Sequence, residues 1–192
     1  MSKIVKSFAS HYILLPNAEL GKWPVISINS NGEILSVEKR DNFTERPSLE
    51  MHPGIIVPAF IDIANNQAKE EININLHHAK GTLIVNDLFT IKNKCDTVEK
   101  KIKESAKPSF IELNNKPILE RIIEYQTTEN TNITESLYWA TQWGAEQTNL
   151  SKKVGKLEVG YSPGIIVIQN IDLAKKTITN NATIKWLNKP IL

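Results

Sequence analysis

Gly54-Ile55-Ile56-Val57-Pro58-Ala59-Phe60-Ile61-Asp62-Ile63 is an almost unbroken apolar run. Bounded by turn residues, such a run fits a strand buried on both faces, since a half-exposed strand would alternate apolar and polar positions. Upstream, residues 8–15 form a second, shorter apolar run. Val25-Ile26-Ser27-Ile28 and Glu33-Ile34-Leu35-Ser36-Val37 flank Asn29-Ser30-Asn31-Gly32. Two β-rich runs around an Asn-Gly turn predict a hairpin. Residues 39–50 are polar, contain a proline and read as a loop.

Downstream the character changes. Residues 65–71 are polar, and Ile72-Asn73-Ile74-Asn75-Leu76 alternates as a half-buried strand would. Residues 96–107 are charged, with Val98 and Ile102 four apart, which suits an exposed helix. Pro117 opens a helical stretch through Ile123, at the position where a helix tolerates proline. Residues 134–145, with apolar side chains at 137, 140 and 145, predict another helix. The last third returns to strands: a glycine-bracketed turn at 154–160, a buried-strand pattern at Gly164-Ile165-Ile166-Val167-Ile168, a loop at 172–176, and one or two strands over 177–187. Strands, then helices, then strands predict an α+β fold in which both ends of the chain share one sheet system.

The 192 residues are enough to bury a core without disulfide or metal staples. With 23 basic and 21 acidic side chains the net charge is +2, which gives no electrostatic reason to propose a nucleic acid or an anionic membrane as partner. Cys95 is the only cysteine, so an intramolecular disulfide and a CxxC metal site are both excluded. No apolar run approaches the roughly 20 residues that cross a bilayer. The first residues lack the long apolar stretch and small-residue cleavage site of a signal peptide, so a cytoplasmic protein is expected.

Two stretches carry a family resemblance. Gly54-Ile55-Ile56-Val57-Pro58-Ala59-Phe60-Ile61-Asp62, following the hairpin, resembles the G-x-x-x-x-P-G-F-x-[DN] segment that opens the barrel of the amidohydrolase superfamily, the group of guanine deaminases, cytosine deaminases and chlorohydrolases. Leu137-Tyr138-Trp139-Ala140-Thr141-Gln142-Trp143-Gly144-Ala145 resembles that family's A-T-x-x-G-A helix. Gly155-Lys156-Leu157-Glu158-Val159-Gly160-Tyr161-Ser162-Pro163-Gly164-Ile165-Ile166-Val167 resembles its G-x-L-x-x-G-x-x-[AP]-[DG]-x-x-[LV] segment leaving the barrel. The resemblance implies a β-sandwich composite domain built from both termini, residues 1–58 plus 154–192. Between them it implies a short, mainly helical insert, residues 59–153, in place of the (β/α)₈ barrel. Glycines 155, 160 and 164 are expected to serve turns that need positive φ.

A full (β/α)₈ barrel takes about 250 residues. Fewer than 100 lie between Pro58 and Val154, so at most two or three barrel units fit and the barrel cannot close. The family's His-x-His metal motif directly follows the first barrel strand. Here one register places Ala64-Asn65-Asn66 there; a second, anchored on His78-Ala79-Lys80-Gly81, places Glu71-Ile72-Asn73. Neither supplies two histidines, and asparagine is a poor ligand for Zn²⁺ or Fe²⁺. The late barrel aspartate is missing too, since residues 107–112 read Lys-Pro-Ser-Phe-Ile-Glu.

Other candidates have ordinary explanations. His77-His78, with Glu70 or Glu71, is the one combination that suggests a relic or rebuilt metal site. Neighbouring histidines on a strand point to opposite faces, however, and two surface residues are the default. Trp139 and Trp143, four apart on a helix, suit an aromatic platform or, by default, core packing. Cys95 has an acidic neighbour, which raises a thiol pKa and favours an inert thiol. Lys100-Lys101-Ile102-Lys103 lies between Glu99 and Glu104, as on a solvated helix face. No phosphate loop, zinc-finger spacing or nucleophile elbow occurs.

The expectation is therefore a non-catalytic, degenerate amidohydrolase-like protein with a binding or assembly role, holding no cofactor and no catalytic residues. The alternatives are a metal-dependent hydrolase rebuilt across a dimer from His77, His78 and Glu70 or Glu71, and an accessory subunit of a full-length homologue. No substrate or small-molecule ligand is named by the sequence. With most barrel neighbours missing, Ile61, Ile63, Trp139 and Trp143 are expected to leave an apolar patch on the insert, and a homodimer through residues 59–150 would cover it.

Overall fold

The structure is a computed structural model. It describes residues 3–42, 47–63, 73–85, 88–89, 116–129, 131–148 and 150–190. The predicted helix at 96–107 and Cys95 lie outside these residues, as do Glu70, Glu71 and residues 107–112.

Both ends of the chain meet in one seven-stranded sheet. Its strands are β1 (Lys6–Leu14), β2 (Leu20–Lys22), β3 (Val25–Ile28), β4 (Ile34–Glu38), β5 (Leu49–Pro58), β9 (Ile165–Asp172) and β10 (Thr177–Asn188). The order is β10-β9-β5-β1-β3-β4, with β2 pairing the later half of β1. The predicted Asn-Gly hairpin is the antiparallel β3–β4 pair. β5 runs parallel to β1 and antiparallel to β9, so the central strands come from opposite ends of the sequence.

Period-two alternation explains why β5 is apolar over 55–57 and β9 over 165–168, since both faces of these stretches are buried. Ile55, Val57, Ile166 and Ile168 enter one core, while Ile56, Ile165 and Val167 enter another on the opposite face. The second core also gathers Ile34 of β4 and Leu187 of β10, the two ends of the strand order. Backbone bonds from Ile34 N–H to Tyr161 O (2.8 Å) and from Gly160 N–H to Ile34 O (2.9 Å) tie that edge to the segment before β9. The sheet therefore curls around its second core.

A single residue passes the chain from this sheet to another. Pro58 has no N–H to give a ladder. Ala59 N–H still bonds Gly164 O at 3.0 Å in the large sheet, whereas Phe60 N–H bonds Gly81 O at 2.9 Å. Phe60 thus begins β6 (Phe60–Asp62), parallel to β7 (Thr82–Val85), which pairs antiparallel with β8 (Leu88–Phe89). The helix α1 (Ile74–Ala79) lies between β6 and β7 in sequence, giving one β–α–β unit. The insert thus contributes a three-stranded sheet as well as helices, where the sequence reading expected it to be mainly helical. The 82–85 strand is short and wholly buried, so no alternation marked it.

Of the stretch 72–76, the described residues 73–76 do not form the alternating strand expected. Asn73 caps α1, its Oδ1 accepting the Leu76 N–H at 3.0 Å. An asparagine cap starts a helix here, and five alternating residues are too few to outweigh it. The predicted helices at 117 and 134 are present as α2 (Ile118–Glu129) and as a continuous helix made of α3 (Ile133–Tyr138), a π turn (Trp139–Trp143) and α4 (Gly144–Glu146). Glycines 155, 160 and 164 have φ of 87°, 87° and 68°, as their turns require.

Among the described residues, Ile61, Ile63 and Trp143 do not form the exposed apolar patch expected. Ile61, Ile63 and Trp143 are buried in the first core with Ile118, Leu119, Ile122, Leu137 and Ala140, and Trp139 packs against that core partly buried. The chain's own helices cover β6, so Ile61, Ile63 and Trp143 are packed internally. Among the described residues no helix is long and apolar enough to cross a membrane.

Candidate functional site at the end of β6

The last residue of β6, Asp62, carries a carboxylate that is 3% exposed. The apolar positions of β6 go into the core, and the strand ends where two helices converge. α2 buries Ile118, Leu119 and Ile122, and Arg121 shares that inward face at 3% exposure. Its Nη2 donates a hydrogen bond to Asp62 Oδ2. From α1, His77 is 2% exposed and brings Nδ1 to 3.7 Å from the same oxygen. A carboxylate with a guanidinium on it and an imidazole beside it therefore closes the end of the strand.

This is where the resemblance expects a metal motif, and the residues do not fit one. The histidine positions after the strand are Ala64 and Asn66, or Glu71 and Asn73 in the alternative register. The nearest described carboxylate is bonded to a fixed cation, and a second cation beside a buried guanidinium would be strongly disfavoured. Among the described residues no group of three or more His, Cys, Asp or Glu side chains is arranged to hold a metal.

His77 and His78 do diverge, but on a helix rather than on the strand expected. Successive helical positions are about 100° apart. His77 faces Asp62, while the His78 ring packs on Trp186 with centroids 4.9 Å apart. Trp186 Nε1 donates to the His78 carbonyl at 2.8 Å. Burial, and then the nearby Lys189 ammonium, hold the His78 pKa below its ordinary value, against a raising hydrogen bond with the Thr82 backbone. His77 is buried, not the surface residue that the sequence reading took as its default. The structure does not bring His77 and His78 together, and Glu71 is outside the described residues.

Trp139 and Trp143 meet edge to face at 4.8 Å. Trp143 is a core residue, while Trp139 also packs against Tyr138, whose hydroxyl pKa burial and then Glu146 raise. They are packing residues, one of them partly exposed. The Asp62–Arg121 pair escaped sequence reasoning. Its only signals were an aspartate inside an apolar run and one arginine within Ile118-Leu119-Glu120-Arg121-Ile122.

No family model matches the chain, and no curated protein is similar to it in sequence. Among solved structures it is similar to an amidohydrolase from Brucella melitensis, at 12% identity and a TM-score of 0.34, over 67% of this chain and 34% of the other. It is also similar to N-acetyl-D-glucosamine-6-phosphate deacetylase from Mycobacterium smegmatis, at 16% identity and a TM-score of 0.31, over 41% of this chain and 23% of the other. The chain thus spans about a quarter to a third of the length of these structures.

Proposed function

We propose that this chain is an amidohydrolase-like protein without catalytic activity, whose role is to bind a ligand or a partner protein. The observation that carries this reading is the buried Arg121 guanidinium on Asp62, at the strand end where the resemblance would have a metal. A strand end that has exchanged ligands for an internal ion pair serves as packing. The motif order supports it: apolar strand, β–α–β unit, A-T-x-x-G-A helix and glycine-rich return to the sheet. The sandwich nature of the composite domain belongs to the same reading, supported by the joining of β5 to β9 and by a core on each face of the sheet. A homodimer, if one forms, uses another surface than Ile61, Ile63 and Trp143.

Metal analysis of protein purified without an affinity tag tests the proposal. The expected result is no stoichiometric zinc, iron or manganese. One equivalent of tightly held metal, lost in a His77→Ala/His78→Ala variant, would overturn it. Co-purification with a full-length homologue would instead identify an accessory subunit.

A further inference from the structure

The large sheet carries a concavity far in sequence from the end of β6. His11 and Tyr12 of β1, Lys22 of β2, the following Trp23, and Leu173 in the β9–β10 turn enclose about 250 Å³. This is smaller than the roughly 300–1,000 Å³ of drug-sized sites, which limits an occupant to about one ring with one substituent.

Gly54 N–H donates to His11 Nδ1 at 3.1 Å, which fixes the imidazole against the start of the apolar half of β5. Only glycine can supply that contact: Gly54 has φ +122°, and a Cβ there would lie 2.0 Å from Ile168 O. The Lys22 ammonium is exposed, and Tyr12 adds a hydroxyl. No acidic side chain is among the five lining residues. The neighbouring Asp172 is engaged in its own turn, Oδ1 accepting from Ala174 N–H at 3.0 Å and Lys175 N–H at 2.9 Å.

Trp23 supplies the flat wall. Its φ is +45°, a conformation that bulky side chains rarely adopt and that clusters at ligand sites. Its N–H bonds His11 O at 3.1 Å, and its ring meets the His11 ring edge to face at 5.7 Å. The fold thus holds an indole in a strained backbone conformation over a small concavity edged by the Lys22 cation.

We propose that this concavity is a binding site for a small ring compound bearing one carboxylate, the ring against Trp23 and the carboxylate facing Lys22. The site is independent of the end of β6, so its test and the metal test fail separately.

Benzoate is a suitable probe, with benzamide as its uncharged counterpart. Saturation-transfer NMR on the full chain should show saturable benzoate binding. Benzamide should bind about tenfold more weakly, the loss expected for one charge-assisted contact. Lys22→Gln should weaken benzoate by about the same factor. Trp23→Gly suits the positive φ and should leave the circular dichroism and melting temperature intact while abolishing binding. Absence of benzoate binding at millimolar probe overturns the proposal, as does unchanged binding in a folded Trp23→Gly variant. Equal affinities for benzoate and benzamide overturn the assignment of an anion. If Trp23→Gly does not fold, the Lys22→Gln and benzamide comparisons still decide.

Discussion

Asp62 and Arg121 are each nearly inaccessible to water and are hydrogen-bonded to one another. Removing one partner of a buried ion pair costs about 3–5 kcal/mol. Arg121→Met should therefore lower the unfolding free energy by about that amount, measured by urea denaturation. Replacing both, as Asp62→Leu/Arg121→Met, should recover most of the loss, because well-packed apolar residues often match a buried ion pair. If Arg121→Met proves neutral, the pair contributes no net stability, and the packing role proposed for the strand end fails. Sequence reading placed Asp62 at the end of the apolar run and left Arg121 unremarked in its helix. They are 59 positions apart, and only the docking of α2 on β6 brings them together.

At the scale of elements, Gly144 shows how the helix of residues 133–146 lies on β6. A Cβ at Gly144 would come within 2.7 Å of Ile61 O and 3.1 Å of Ile61 Cβ. On a free helix Gly→Ala stabilises by about 1 kcal/mol through helix propensity. Here the added methyl meets backbone, and overpacking of that kind costs about 1–3 kcal/mol. Gly144→Ala should therefore lower the melting temperature, against the propensity trend. A higher melting temperature would show that the helix can lift from β6 at little cost. The A-T-x-x-G-A pattern was visible in the sequence. The partner that makes its glycine necessary, a carbonyl on β6, was not, because a contact across more than 80 residues leaves no periodicity. The same limit explains residues 72–76: a cap at Asn73 and an alternating strand read alike over five positions.

For the whole molecule, the decisive feature is β9 inserted between β10 and β5. Deleting residues 160–192 removes the partner of β5 and strips Ile165, Ile166, Val167 and Ile168 from both cores. It also opens the edge of an apolar central strand. The truncated chain should be insoluble or lack a cooperative melting transition, as seen by circular dichroism. A cooperative melt near the full-length midpoint would show that residues 1–159 fold alone.

Strand periodicity, the Asn-Gly turn, the helix at Pro117 and the apolar runs at 54–63 and 164–168 were determined by the sequence itself. Local pattern and burial on both faces are properties of short stretches, and the absence of His-x-His is a matter of residue type. Only the tertiary structure decided that Ala59 hands one strand to a second sheet and that helices bury Ile61 and Trp143. It also decided that Arg121 reaches Asp62, and that His11, Lys22, Trp23 and Leu173 share a concavity. Each of these depends on which distant surfaces meet, and that is set by the packing of the whole chain rather than by any window of it.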